Sequence, residues 1–427
     1  MMPSDSQETL GVWRDRDRVG TLWRDDQDRM GFVYDPNWID TGFPIGNVLP
    51  LREEPFEPQD GQAHAWFSNL LPEADARNRI VRQLGISDDD YLLLKHIGAD
   101  CAGALSVLPR EELPDLTHGA EPITDDQLHQ WLLQPGPYGF ARMKSQAREQ
   151  SRPRLSLAGA QAKSPVLIED GRYFLPVGAT PSSHILKFEI PDLRHVPLYE
   201  FYLNQLARLV GLPVPEITMN QLNGRRYRIV ERYDRIRVDG KRHRKHQEDF
   251  CQVAGLRSTR KYQADQGPNL AYIAESIRRI SARPAGDLLH LLRWQIFNWL
   301  AGNSDGHAKN LSLVHASHAN PSWRLAPFYD LVCTRAWPNL DEGLAMTVGD
   351  ESDPGRIGRR EWEAEARSMS MRPGFVLAEV QAMASQIGQA VEPLRMTLEA
   401  QFGRLPMLQQ PEAVVKKQLR IARSCLN

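Results

Sequence analysis

Gly302-Asn303-Ser304-Asp305-Gly306-His307-Ala308-Lys309-Asn310 follows directly on the most apolar run of the chain, Leu288 to Leu300. That run is interrupted by His290, Arg293, Gln295 and Asn298, too polar and too short to span a bilayer, and it reads as a buried helix. The nine residues behind it are small, polar and punctuated by glycine. A loop anchored by a hydrophobic helix can hold Asp305 and Asn310, five residues apart, on one rim. The carboxylate can take a hydroxyl proton, and the amide oxygen can ligate a metal. Twenty residues after Asn310, Leu325-Ala326-Pro327-Phe328-Tyr329-Asp330 reads as a strand closing on an acid, the place for a second hard oxygen ligand to Mg²⁺. Taken alone, Asp305 and Asn310 read equally well as turn caps, because Asn, Asp, Ser and Gly are turn formers.

Upstream segments decide between the two readings. Leu155-Ser156-Leu157-Ala158-Gly159-Ala160-Gln161-Ala162-Lys163 is rich in small residues that let backbone N–H groups approach phosphate oxygens, although a plain tight connection has the same composition. Ser182-Ser183-His184-Ile185-Leu186-Lys187-Phe188-Glu189 puts a lone lysine inside an apolar strand pattern. A buried ammonium needs a partner, and the amphipathic helix from Leu198 to Val210 supplies Glu200; the other reading is a surface lysine whose stem lies over the sheet. The spacing D-x-x-x-x-N is that of the catalytic loop of protein kinases. Small-residue loop, strand lysine, helix glutamate, catalytic pair and metal acid occur here in kinase order.

Taken together, these segments resemble the HipA family of bacterial type II toxin kinases. The resemblance is carried by Ser156 to Lys163 (SLAGAQAK), Ser183 to Lys187 (SHILK), Val230 to Arg235 (VERYDR), Gln247 to Gln252 (QEDFCQ), Asn303 to Ser312 (NSDGHAKNLS) and Ala326 to Asp330 (APFYD). It implies Asp305 as general base and Asn310 and Asp330 as Mg²⁺ ligands. It implies an ATP site made of the phosphate loop Ala158, Gly159, Ala160, Gln161, Ala162 and Lys163, with Lys187 on the phosphates and Glu200 as its ion-pair partner. Glu231, Arg232 and Tyr233 would form the hinge at adenine, and Gln247, His307, Ala308, Lys309 and Tyr329 would complete the site. His307 reads equally as a core histidine. Ser156 matches the serine that family members autophosphorylate. The implied partners are a small helix-turn-helix antitoxin of the HipB kind, through which DNA is met only indirectly, and a protein substrate of the aminoacyl-tRNA synthetase class, such as glutamyl-tRNA synthetase. Two departures stand out: Ala162 occupies a position where the best-known member has an acid, and Asp192 to Pro197 is shorter.

Composition bounds the rest. The 427 residues exceed the size of one core, and 41% hydrophobic with 25% charged residues is ordinary for a globular protein. A formal net charge of -2 argues against a nucleic-acid coat protein. The strongest basic run, Arg235 to His246, has Asp239-Gly240 at its middle and reads as a solvated hairpin or, less simply, a polyanion contact. Four scattered cysteines and a polar, acidic start without an apolar run fit a reducing cytoplasm and no membrane segment. The expected fold is α+β: a two-lobed, protein-kinase-like chain with an accessory α+β subdomain (1–110), a linker with a short helix (111–153), a small sheet-rich N-lobe (154–235) and a large all-helical C-lobe (236–427). ATP and Mg²⁺ are the expected cofactors. Two rival functions share this core: a catalytically silent nucleotide-binding co-repressor and a small-molecule kinase.

Overall fold

The computed structural model describes residues 8–114, 118–133, 163–178, 180–190, 193–317 and 321–426. Two compact units are present, each assembled from separate stretches of chain: Met1–Ile190, Asn220–Ser258 and Val314–Ser322 in the first, and Pro191–Met219, Thr259–Leu313 and Trp323–Asn427 in the second.

The first unit begins with strands β1 (Thr9–Arg14), β2 (Asp17–Arg24), β3 (Met30–Tyr34) and β4 (Leu105–Pro109), an antiparallel sheet of order β3-β2-β1-β4. Helices α1 (Pro36–Thr41), α2 (Gln62–Ser68), α3 (Ala74–Leu84) and α4 (Asp90–Ile97) come from the connection between β3 and β4. Alternation puts Leu10, Val12, Leu22 and Phe32 into a core shared with Trp66, Phe67, Tyr91 and Leu94 of α2 and α4.

A second sheet has the order β5-β7-β6-β8-β10-β9, from β5 (His118–Pro122), β6 (Lys163–Glu169), β7 (Arg172–Gly178), β8 (His184–Lys187), β9 (Ile217–Leu222) and β10 (Arg225–Glu231). Its tight turns fall at Asp170-Gly171 and Asn223-Gly224, dipeptides suited to type I′ hairpins. Asp170 and Gly171 have φ of 48° and 75°, and Asn223 and Gly224 have 48° and 76°, the paired positive values of a type I′ turn. The segment read as a linker instead belongs partly to this sheet: β5 pairs with β7, and α5 (Asp125–Leu133) packs Leu128, Trp131 and Leu132 against Val166, Leu186, Phe188 and Ile229. A capping box opens this helix, with Thr124 N–H on Gln127 Oε1 at 2.8 Å and Gln127 N–H on Thr124 Oγ1 at 3.2 Å.

The basic run folds into the hairpin β11 (Arg235–Val238) and β12 (Lys241–Arg244). Its tip is solvated, but its base is not: Arg235 and Arg244 are buried on Asp234 and Asp100. Arg232 joins them through a fork onto Asp234 at 2.9 and 2.7 Å.

The second unit is mainly helical, from α6 (Val196–Leu209) to α8 (Leu270–Ile280), α9 (Pro284–Ala301), α10 (Arg359–Ser368), α11 (Pro373–Phe402) and α12 (Gln409–Leu426), with the short α7 (Phe250–Ala254) lying in the first unit. The region beyond 236 is not wholly helical, since it also carries β12, β13 (Gln247–Asp249), β14 (Ser312–His315) and β15 (Trp323–Leu325). Helix α11 runs unbroken for 30 residues through Pro393, a residue that ordinarily ends or kinks a helix. Its buried stripe of Val380, Met383, Ile387, Val391, Leu394 and Leu398 continues past the proline, so packing outweighs one lost hydrogen bond. Helix α9 is the predicted buried helix, with Trp294 and Trp299 fully inaccessible.

Candidate active site

Helix α9 stops at Gly302, whose φ of 76° is left-handed and whose N–H closes on Asn298 O. A Cβ there would also sit 2.5 Å from Val414 Cγ1, so both backbone and packing demand glycine. The loop that follows is tied on both sides. Asn303 donates from its backbone to Asn298 O and from Nδ2 to Asn298 Oδ1, each at 3.0 Å. Ser304 donates its N–H to Thr334 Oγ1 at 2.8 Å and its hydroxyl to Glu342 O at 2.7 Å, and its carbonyl accepts Ala345 N–H at 2.9 Å.

Between 301 and 310 every residue is buried except Asp305, which is partly exposed. Its carbonyl accepts both His307 N–H at 2.9 Å and Asn310 Nδ2 at 2.8 Å. The five-residue spacing is thus a closed turn in which Asn310 spends its amide nitrogen on Asp305. The Asn310 Oδ1 is chemically an acceptor, of a kind able to hold a cation. On the carboxylate itself, Oδ1 accepts the Tyr262 hydroxyl at 2.8 Å.

Of the segment read as a strand closing on Asp330, only Leu325 belongs to one, as the end of β15; Ala326 to Asp330 lie beyond it, held by other contacts, and Tyr329, next to Asp330, touches the loop. Ala326 N–H bonds Ser312 O, and Phe328 N–H bonds Pro213 O, both at 2.8 Å, while the Phe328 ring stacks on Trp294. The Tyr329 hydroxyl donates to Lys309 O at 2.8 Å, so its 2.6 Å contact with Ser312 is one in which the serine donates. Asp330 then adopts a left-handed φ of 55°, a conformation that costs energy for a residue with a side chain and persists only where its surroundings impose it. Among the described residues there is no group of three or more His, Cys, Asp or Glu side chains that could hold a metal. An amide oxygen and a carboxylate are hard donors of the kind Mg²⁺ takes when phosphate oxygens complete its shell.

The remaining sequence-derived residues fall on several elements. Lys187 is buried on β8 and Glu200 is buried on α6. Just before Lys187, His184 shares a 2.7 Å hydrogen bond with Ser183, and burial, then the charge of Arg242, push its imidazole down to about 4. In the hinge segment Glu231 is exposed, while Arg232 commits its guanidinium to Asp234 and Ser182 and its N–H to Ser183 O. Gln247 is half-buried against Gly103. His307 is buried, its ring edge-on to Tyr262 at 5.2 Å. Lys163 begins β6. Ser156 and Ala158 to Ala162 lie outside the described residues.

Two family models match the chain: the HipA N-terminal domain over residues 10–108 and the HipA-like C-terminal domain over residues 155–393. A protein of Sinorhizobium fredii, Y4mE, provisionally named a kinase, is 35% identical over 395 residues that make up 90% of each chain. The chain belongs to the HipA family. The serine/threonine-protein kinase toxin HipA of Shewanella oneidensis is 28% identical over 385 residues, covering 87% of this chain and 85% of that one. A solved structure of the Shewanella oneidensis toxin–antitoxin complex of HipA, HipB and operator DNA matches with a TM-score of 0.82 at 25% identity, over 98% of both chains. The mixed helix-and-sheet, kinase-like architecture expected from the sequence is therefore the HipA fold. No helix among the described residues is long and apolar enough to cross a membrane. The HipA signature segments do not point to Tyr262 or Thr334. Both touch the loop through the fold, 43 and 30 residues away along the chain from Asp305 and Ser304 respectively, and no local spacing announces them.

Proposed function

We propose that this HipA-family chain is the kinase toxin of a type II toxin–antitoxin pair, transferring the γ-phosphoryl group of ATP to a serine or threonine of a protein. The observation that carries the reading is the Asp305–Asn310 turn: a partly exposed carboxylate on an otherwise buried loop, closed by the Asn310 amide, with Tyr329, the neighbour of Asp330, bonded to Lys309 O. Relatives named as kinases across most of the chain support it.

In this mechanism Asp305 accepts the proton of the acceptor hydroxyl as its oxygen bonds to phosphorus and the bond from phosphorus to the ADP oxygen breaks. The buried loop fixes the backbone of Asp305, so reaction requires no reordering of the base. Asn310 and Asp330 would hold Mg²⁺, which neutralises charge on the phosphates. Lys187, with Glu200 as its partner, would hold the ATP phosphates together with the loop Ala158 to Lys163; Glu231 to Tyr233 would meet adenine, with Gln247, His307, Ala308, Lys309 and Tyr329 completing the pocket. Ser156 would be the autophosphorylation site. The partner is a HipB-like helix-turn-helix antitoxin, by analogy with the Shewanella oneidensis complex, which also contains operator DNA. The substrate class is an aminoacyl-tRNA synthetase, glutamyl-tRNA synthetase being the foremost case, and the compartment is the cytoplasm.

Incubation of the purified chain with γ-labelled ATP, Mg²⁺ and cell lysate tests this. A labelled protein band whose phosphosite maps to serine or threonine is the expected result. Label in a small molecule, or none transferred by a folded, ATP-binding protein, would refute the reading.

A further inference from the structure

The proposed base is gripped by a residue that no part of the kinase signature contains. Tyr262 lies in Ser258 to Gly267, between the short helix α7 and α8, within the same compact unit as Asp305. Its hydroxyl donates to Asp305 Oδ1 at 2.8 Å. The segment is built to present that hydroxyl. Both Asp265 N–H and Gly267 N–H return to Tyr262 O, at 3.0 and 2.9 Å, folding the chain into a compact turn. A Cβ on Gly267 would lie 2.3 Å from Arg260 O and 2.6 Å from Tyr262 O, so a side chain there would force the turn open.

The turn is also fastened to the catalytic loop on both flanks of the tyrosine. Lys261 O accepts Ala308 N–H at 3.2 Å on one side. On the other, Gln263 N–H bonds Ala345 O at 3.1 Å, and the N–H of that same Ala345 bonds Ser304 O at 2.9 Å. The Gln263 side chain locks this flank further, through Thr347 Oγ1 at 2.8 Å and Thr347 N–H at 3.0 Å. The phenol ring stands edge-on to His307, with the Lys261 ammonium 5.4 Å from its centroid. Backbone hydrogen bonds hold the main chain of Asp305, but they leave its side-chain torsions free; the Tyr262 bond removes that freedom. Among the described residues Asp305 Oδ2 accepts no hydrogen bond, so one oxygen is fixed and its twin is presented.

We infer that Tyr262 is a positioning residue for phosphoryl transfer, orienting the Asp305 carboxylate so that Oδ2 meets the acceptor hydroxyl. This rests on the kinase reading above. The role is electrostatic and geometric: the phenol keeps its own proton, donates to Oδ1 throughout, and takes no part in the bonds made or broken.

Tyr262→Phe removes the hydroxyl and keeps the ring that packs on His307. With γ-labelled ATP and lysate protein as acceptor, the apparent kcat is expected to fall roughly tenfold to a hundredfold, the range for losing a hydrogen bond to a charged group. The KM for ATP and the thermal midpoint should stay at wild-type values, a split that a merely structural tyrosine would not give. Installing 4-aminophenylalanine at 262, which restores a donor at the same point of the ring, should recover most of the rate. A Phe variant as fast as the wild type or faster would overturn the inference, the faster case marking the tyrosine as a latch occupying the acceptor's place. Loss of rate together with ATP affinity and stability would overturn it too, as would a donor-bearing variant no better than Phe. Wild-type protein that transfers no phosphate would instead remove the kinase reading itself.

Discussion

Asp305→Asn separates the chemistry of the site from its architecture. The loop is held by bonds to the backbone of residue 305, from His307 N–H and Asn310 Nδ2, and the substitution leaves both in place. On the side chain, Tyr262 donates to Oδ1, a role an amide oxygen fills in the same position. The change is isosteric and costs only the difference between a charged and a neutral acceptor, about 1 kcal/mol. Proton abstraction is lost altogether, and general-base catalysis contributes about 10²- to 10⁴-fold, roughly 3–5 kcal/mol of barrier. Stability and rate should therefore part company. Single-turnover transfer of label from ATP, followed by rapid quench, reads the rate, and thermal melting with and without ATP·Mg²⁺ reads fold and binding. The expected variant melts near the wild type, is stabilised by nucleotide, and transfers phosphate at least a hundredfold more slowly. A folded variant working within about threefold of wild type would refute the assignment of the base. Slow transfer accompanied by collapse of the melting midpoint would make Asp305 a structural residue.

Other perturbations test neighbouring parts. Asp330→Ala should abolish the thermal stabilisation given by ATP plus Mg²⁺, since Asn310 alone offers one neutral oxygen; undiminished stabilisation would place the cation elsewhere. Asp234→Ala would strand the buried Arg232 and Arg235 and should destabilise the first unit by about 3–5 kcal/mol in urea unfolding, a loss under 1 kcal/mol counting against the network. Burial alone would raise the Asp234 carboxyl, but the two guanidinium groups hold it well below the usual carboxylate range. Its stabilising effect is therefore complete above the unfolded value of about 3.9 and disappears as pH falls through the lower folded value, which acid unfolding of wild type against Asp234→Asn would read. Phosphate at Ser156, mapped by mass spectrometry after incubation with ATP·Mg²⁺, should lower ATP affinity by adding about -1.5 to -2 charge next to the proposed phosphate loop; unmodified Ser156, or equal affinity in both forms, would sink that role.

What could be read from the sequence was what is encoded locally. Asp170-Gly171 and Asn223-Gly224 announce their hairpins because only small or amide-bearing residues tolerate two successive positive φ values. Thr124 and Gln127 announce a helix start because the cap is a reciprocal bond within four residues. The Asp305–Asn310 pair is visible for the same reason. What escaped depends on contacts between distant segments. Tyr262 meets Asp305 only through the fold, β5 is recognised as a strand only by its pairing with β7, and Arg235 and Arg244 look solvated until Asp100 and Asp234 are placed beside them. Pro393 misleads because its local cost is legible and the stripe of packing that overrides it is not.

The interleaving of the two units has a consequence for how the protein comes into being. The core of Leu10, Phe32, Trp66 and their neighbours is complete within residues 10–107, yet the first unit as a whole still lacks Asn220–Ser258, whose Glu248 takes the indole of Trp66, and Val314–Ser322, whose His315 bonds His246 O and packs on Phe43. Synthesis must run on past Ile190 as far as Ser322 before that unit is whole, at a pace of roughly 5–20 residues per second. During that interval the contacts of Trp66 with Glu248 and of Phe43 with His315 are not yet made. A polypeptide that stops between Pro191 and Ser322 therefore holds both units begun and neither finished.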